Sequence, residues 1–387
     1  GDLLFSASSS SPHISVSSHS SLSEVHHRFG VGSAHVSALL VSLHFVFTAH
    51  LDHQIRVWRR PMGAVDSTVS AKPYNIMRRI SSKPGSSSYS YKLLGTLPSA
   101  KDFLINAIAS EKNYVQFRRH YSRLWIQHVD TITSLVVEPD GSLLYSGSWD
   151  RTVKVWKLSK MKCIQSIKAH EDAVNDMMIG MENEILYTAS ADKTIKGWKK
   201  IGERRVLMWR IDDAHNAAVN AMVMSGDGSM VYTAGSDCKI NVWRPPGLAG
   251  PATNHQSIGR NAANLGVGVR WRKWAELRGH RQAVLCLAAA GPLVCSGSAD
   301  KTIRVWKREG DGDGDGDGQY MAGYGGPVRS LCLKVASTRH CVVNSGAMDS
   351  TVRSWSLLFF HPLTTLTHPH PTHYSHRQRE LEMTGDP

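Results

Sequence analysis

No two cysteines in this chain stand at CxxC spacing; its six, at 163, 238, 286, 295, 332 and 341, are scattered. That removes the usual metal-knuckle and dithiol motifs, and the strand-like context of most of them reads as small core hydrophobes in a reducing, intracellular compartment, cytoplasm and/or nucleus. The Asn-X-Ser/Thr sequon is also absent, so nothing supports secretion. The longest apolar run, ALLVSLHFVFTA at 38–49, is too short to span a bilayer and divides into two strands. The N-terminus has no basic n-region, so no signal peptide is expected there. There is no GxSxG, no HExxH and no paired-carboxylate motif, and the GxG at 30–32 and GVGVR at 266–270 lack the third glycine of a dinucleotide site. No catalytic, cofactor or metal residue is expected, and neither a membrane nor a small-molecule substrate.

What the chain has is a repeat. Six times a Ser/Thr is followed four residues later by Asp and six residues after that by Trp. The copies are TAHLDHQIRVW (48–58), SGSWDRTVKVW (146–156), TASADKTIKGW (188–198), TAGSDCKINVW (233–243), SGSADKTIRVW (296–306) and SGAMDSTVRSW (345–355). The undisturbed Trp-to-Trp period of 42 to 49 residues signals repeated supersecondary units. Three residues before each Trp stands a β-branched aliphatic, and two before each Ser/Thr another aliphatic, which predicts two buried strands around a tight turn at the Asp. Runs such as CIQSI (163–167), RVLMWRI (205–211) and WAEL (274–277) add an outer strand, so each unit is expected to be a four-stranded antiparallel blade.

Upstream of four copies stand His128, His170, His215 and His280, two of them in AH and one in GH. With the Trp pattern, this resembles the WD-repeat (WD40) β-propeller family, and implies an all-β propeller. In that family a His, a Ser/Thr, an Asp and the Trp form a hydrogen-bonded network within each blade. Carried to matching positions, the resemblance implies the sets His128, Ser146, Asp150, Trp156; His170, Thr188, Asp192, Trp198; His215, Thr233, Asp237, Trp243; and His280, Ser296, Asp300, Trp306. A buried Asp needs donors, which turn amides and a His N–H supply. The end copies keep Asp52 and Trp58, and Asp349 and Trp355, but Gly32 and Tyr324 stand where the His belongs, so those blades are expected to be less well pinned. A narrower resemblance, carried by 95–128, 143–175 and 278–308, is to the plant JINGUBANG-type WD-repeat proteins. It implies seven blades and a regulatory role in plants, in reproductive development, with transcription factors among the partners. Residues 1–30 read as a truncated or degenerate first blade, because LLFSAS (3–8) is similar to LLYSGS (143–148) without the Asp and Trp. Blades fill 31–358, with insertions at 60–127 and 245–272, and 359–387 is a His/Pro-rich disordered tail.

Within the first insertion Ser99 is expected to cap a short helix at 101–110, with Asp102 in the capping-box position and Phe103, Leu104 and Trp125 packing it on the propeller side. GDGDGDGDG (310–318) mimics the start of a calcium loop at Asp311, Asp313, Asp315 and Gly316. Ala322 where Glu is needed makes it a solvated loop instead. The net charge of +13 points to nucleic acid or an acidic partner. A cation two before most blade Trp residues would recur around the fold, and denser clusters lie in or beside the insertions. Candidates for binding an acidic protein segment are Arg118, Arg119, Tyr121 and Arg123 in the insertion, and Arg151, Lys193 and Lys301 directly after the blade Asp.

The repeating Ser/Thr–His–Asp sets resemble a hydrolase triad, yet a triad occurs once on a strained turn, whereas these recur at fixed positions. The chain therefore reads as a non-enzymatic scaffold for protein–protein interaction. An alternative is a cullin-type ubiquitin-ligase receptor, but such receptors carry Asp one and Arg three residues after the blade Trp, and RRP, KLS, KKI, RPP, KRE and SLL do not fit. The other is nucleic-acid binding, for which only 114–125 interleaves aromatic and basic residues.

Overall fold

The computed structural model describes residues 3–7, 13–18, 21–30, 35–42, 44–61, 91–109, 114–118, 121–181, 184–245, 271–307, 319–321, 324–337, 340–359 and 364–366. The poly-GD loop, Gly32, Arg119 and the His-rich part of the tail lie outside these residues. Among the described residues the architecture is six four-stranded antiparallel sheets, a three-stranded sheet over Leu3–Ala7, Ile14–Ser18 and Ser21–Phe29, and one two-stranded hairpin, Tyr114–Arg118 with Tyr121–Leu124. Each four-stranded sheet is built of consecutive strands in chain order, as in a propeller blade. The Trp156 blade, for instance, runs Ile132–Val137, Leu143–Ser148, Thr152–Lys157 and Lys162–Lys168.

The second strand of a blade is its driest. All six residues of LLYSGS and of LVCSGS are buried, so these strands are covered on both faces and lack the polar-out alternation of a surface strand. The small residue between the two hydroxyls has a packing reason. A Cβ on Gly147 would stand 2.9 Å from Val174 Cγ1 of the following blade, and one on Gly297 only 2.6 Å from Val328 Cγ1. First strands carry a bulge at one recurring place, between Ile132 and Ser134, Val174 and Asp176, and Val284 and Cys286, which bends each strand where it leaves the turn.

The chain divides into two compact units, residues 1–192 with 196–208, and residues 193–195 with 209–387. In the first, the Trp58 and Trp156 blades share a core of Phe47, Ile55, Leu97, Ile126, Leu144 and Trp156. In the second, the Trp306 and Trp355 blades share Cys295, Ile303, Val328, Val343 and Leu357. All six cysteines are free thiols. Cys163 is buried, which pushes its thiol up to about 12, whereas Cys332 is exposed and departs from the core-hydrophobe expectation.

The first insertion divides. Lys92–Leu97 is the fourth strand of the Trp58 blade, pairing Ile55 with Leu97 and Arg59 with Lys92. Among the described residues of the insertion, the helix α1 (Ala100–Ala109) and the hairpin after it are extra to the blades. Thr364–Leu366 pairs with Leu357–Phe359 as the fourth strand of the last blade, although the sequence reading leaves it in the tail; three residues among His and Pro carry no strand period of their own.

Candidate functional site

Four blades assemble the expected four-residue set, each from the same elements. The His stands just before the first strand, the Ser/Thr is inside the second, the Asp closes the turn, and the Trp lies on the third. In the Trp156 blade His128 Nδ1 lies 2.8 Å from Asp150 Oδ2 and His128 Nε2 lies 2.8 Å from Ser146 Oγ; Trp156 Nε1 donates to that same oxygen at 2.8 Å. The Trp198 blade repeats this with His170–Asp192 at 2.9 Å, His170–Thr188 at 2.7 Å and Trp198–Thr188 at 3.0 Å. In the Trp243 blade the corresponding distances are 3.0, 2.9 and 2.9 Å, through His215, Asp237, Thr233 and Trp243. In the Trp306 blade they are 2.9, 2.8 and 2.8 Å, through His280, Asp300, Ser296 and Trp306.

Trp N–H can only donate, so the hydroxyl accepts from it; with the hydroxyl donating a hydrogen bond to His Nε2 and Nδ1–H donating to the carboxylate, every group in the set is satisfied. Burial lowers the pKa of His128, His170 and His280, outweighing the attraction of the Asp beside each. Burial raises Asp150, but the His128 ring, the Thr152 hydroxyl and the Val129 amide outweigh it and hold the carboxyl below the usual range. Asp237 and Asp300 are held down in the same way. Each carboxylate also takes the amide of the residue after the His: Val129, Glu171, Asn216 and Arg281 at 3.0, 3.0, 3.1 and 2.9 Å.

This arrangement cannot attack a substrate at these four positions. Ser146, Thr188, Thr233 and Ser296 are fully buried, and each hydroxyl is spent between an indole and an imidazole.

The end blades depart from the implied set. In the Trp58 blade the imidazole comes from His50, which reaches back two residues to Thr48 Oγ1 at 2.8 Å, while Trp58 donates to Thr48 at 3.0 Å. Asp52 pairs with Arg56 at 2.6 Å and takes the Gln54 amide at 3.0 Å. In the Trp355 blade Tyr324 replaces the His, its hydroxyl bonded to Ser345 and taking Trp355 Nε1–H at 2.9 Å. Asp349, having no imidazole, keeps the Gly325 amide at 2.7 Å and the Thr351 hydroxyl at 2.5 Å. The Tyr324 phenol reaches both Ser345 and Trp355 from the place of the missing imidazole. The sequence signal for His50 is TAH at 48–50, two residues after the Thr and not upstream of the first strand.

Two of the recurring cations before the Trp are turned to backbone carbonyls. Lys154 is 2% exposed and donates to Trp125 O at 2.5 Å, and Lys196 donates to Ala169 O at 2.7 Å. Asn241 does the same toward Ala214 O at 2.7 Å, so in the Trp198 and Trp243 blades the position holds the carbonyl just before the blade His, and in the Trp156 blade the one three residues before it. The cations after the Asp behave oppositely. Arg151, Lys193 and Lys301 take positive φ of 69°, 69° and 68°, with exposed side chains. His53, Cys238 and Ser350 occupy the same turn position at 62°, 66° and 64°. Trp149, before Asp150, is also exposed, and nothing in the repeat pattern singles it out. Arg123 is exposed, whereas the side chains of Arg118 and Tyr121, and all of Arg119, lie outside the described residues.

Among the described residues no group of three or more His, Cys, Asp or Glu is placed to hold a metal ion, and no helix is long and apolar enough to cross a membrane.

The family model described as WD domain, G-beta repeat matches residues 121–157, 161–199, 208–244 and 271–307. Over 70 residues, 18% of this chain, the sequence is 36% identical to the ribosome biogenesis protein BOP1 homologs of Drosophila melanogaster and Drosophila erecta, and 34% identical to that of Drosophila mojavensis. The matched segment covers 9% of the length of each of these relatives.

Proposed function

Because the chain is a WD40-repeat β-propeller protein of seven antiparallel blades, we propose that it is a non-enzymatic scaffold that binds segments of other proteins on the turns that follow the blade Asp residues. One contrast carries this reading. The Ser/Thr and His groups of the four blade sets are buried and bonded to the Asp and Trp beside them, while Arg151, Lys193 and Lys301 stand exposed on the turns after the Asp, two of which the Asp150 and Asp300 carboxylates brace through the Thr152 and Thr302 amides. A rigid turn presents a charged side chain with little ordering cost, which favours acidic segments. The partners of such a scaffold are regulatory proteins, transcription factors among them. The likeness to the ribosome biogenesis homologs supports the repeat architecture and carries no pathway over to this chain.

The test is affinity purification with mass spectrometry, comparing the intact protein with an Arg151→Glu/Lys193→Glu/Lys301→Glu variant and recording thermal melts of both. A defined set of proteins lost by the variant at unchanged melting temperature supports the scaffold. Recovery of only nucleic acid and its binding proteins, released by moderate salt, overturns it.

A further inference from the structure

Helix α1 is amphipathic in the reverse sense. Its buried residues are polar, Asp102 at 4% and Asn106 at 8% exposure. These two, one turn apart, anchor the helix through hydrogen bonds. Ser99 Oγ accepts the Asp102 amide at 3.1 Å as the N-cap, and Asn106 Nδ2 donates to Asp102 Oδ1 at 3.1 Å. Trp125 Nε1 donates to Asn106 Oδ1 at 3.1 Å, and the Cys163 amide reaches Asp102 Oδ2 at 3.4 Å. Asp102 thus faces the blade instead of closing a capping box. The expected packing of Phe103 and Leu104 on the propeller side is not what the structure shows: Leu104 is 58% and Ile108 83% exposed, with Phe103 and Ile105 exposed beside them. Leu104, Ile105 and Ile108, at i, i+1 and i+4, form one outward stripe.

We propose that this stripe docks an acidic amphipathic segment of another protein. A helix that spends its polar residues on its own fold and turns four large apolar side chains to water carries a surface whose exposure is unfavourable until something covers it. Charge selects the occupant. The exposed charged side chains described on α1 and on the strands Tyr121–Leu124 and Lys162–Lys168 are Lys101, Arg123, Lys162 and Lys168, all cations, of which Lys168, at the far end of its strand, is paired with Glu171 at 3.2 Å. A second copy of this chain would bring like charges together, whereas a segment with an apolar face flanked by Glu or Asp meets both features. This surface is separate from the turn residues of the proposed scaffold, and its test is separable from theirs.

Fluorescence anisotropy with two labelled synthetic helical peptides provides the test, one with a leucine face flanked by Glu, the other identical but flanked by Lys. The Glu peptide is expected to bind the intact protein and a Leu104→Met/Ile108→Met variant. A Leu104→Ser/Ile108→Ser variant, melting unchanged, should lose about tenfold or more in affinity. The Arg151→Glu/Lys193→Glu/Lys301→Glu variant should bind it normally. Absence of Glu-peptide binding, or equal binding of the Lys peptide, overturns the proposal. So does sedimentation showing a dimer that the serine pair abolishes, since the occupant is then a second copy.

Discussion

Arg205 Nη2 donates to Glu138 Oε1 at 2.9 Å across 67 residues of sequence, joining the outer strand of the Trp198 blade to the first hairpin of the Trp156 blade. Neither side chain sees solvent to any extent, and both are fully committed. Tyr145 Oη donates to the same carboxylate oxygen at 2.6 Å, and Lys200 Nζ and Ser142 Oγ reach the other at 2.7 and 2.9 Å. Arg205 Nε donates to Tyr145 Oη at 3.0 Å, its guanidinium lies 4.9 Å from the Tyr145 ring centre, and Nη1 donates to the Glu184 carbonyl. Burial and the Glu138 hydrogen bond raise the Tyr145 pKa, so the phenol stays protonated and donating.

Removing Arg205 takes the buried cation from the Glu138 carboxylate and leaves it to Lys200, Tyr145 and Ser142. Arg205→Ala is expected to cost about 3–5 kcal/mol in urea unfolding, whereas Glu138→Gln/Arg205→Met, which removes both charges at similar volume, should cost clearly less than the single change. Equal losses would mean the pair contributes packing alone.

Asp192→Ala strips His170 Nδ1 and the Glu171 amide of their acceptor while leaving both in place. A loss of about 2–4 kcal/mol is expected from a buried network left short of an acceptor. A melting temperature equal to that of the intact protein would show that the carboxylate does not hold the blade.

Tyr324→Phe keeps the ring but removes the hydroxyl that bridges Trp355 and Ser345. The expected cost is about 1–3 kcal/mol, seen as an earlier unfolding midpoint. Asp349→Ala should cost less than Asp192→Ala, because Asp349 serves no imidazole. The reverse order, measured by the same unfolding curves, would refute the role given to the phenol.

Acid should destabilise the protein well before ordinary carboxylates titrate. His128, His170 and His280 have native pKa values below the ordinary 6.5, so below that pH the unfolded chain binds protons that the folded one does not. Their contribution is complete above 6.5 and is lost as pH falls toward the native values. Asp150, Asp237 and Asp300, also depressed, act in the same direction below 3.8. Melting temperature should hold between pH 7 and 8 and fall progressively below about 6.5. A His170→Gln variant should show a shallower fall, and a profile level from pH 7 to 5 would mean the rings are not held neutral.

The blade pattern was legible because it is local. Ser/Thr, Asp and Trp keep their spacing within one hairpin, so the four-residue sets at 128–156, 170–198, 215–243 and 280–306 could be aligned copy against copy. A residue within that window that serves from another position, as His50 does, is missed when only the usual place is read. What depends on contacts far apart in sequence was not legible. Glu138 and Arg205 look like two surface charges until the strands that bear them pack together. Lys154 reads as a surface cation until the Trp125 carbonyl is found above it, and α1 reads as packing its apolar side inward until Asn106 and Trp125 are seen to hold its polar side. Periodicity determines which residues form the strands, because backbone pairing and side-chain alternation repeat along the chain. Which polar group is buried, and which apolar face is left to water, was decided only in the folded state, where distant donors and acceptors meet and the cost of leaving one unpaired exceeds the cost of exposing a leucine.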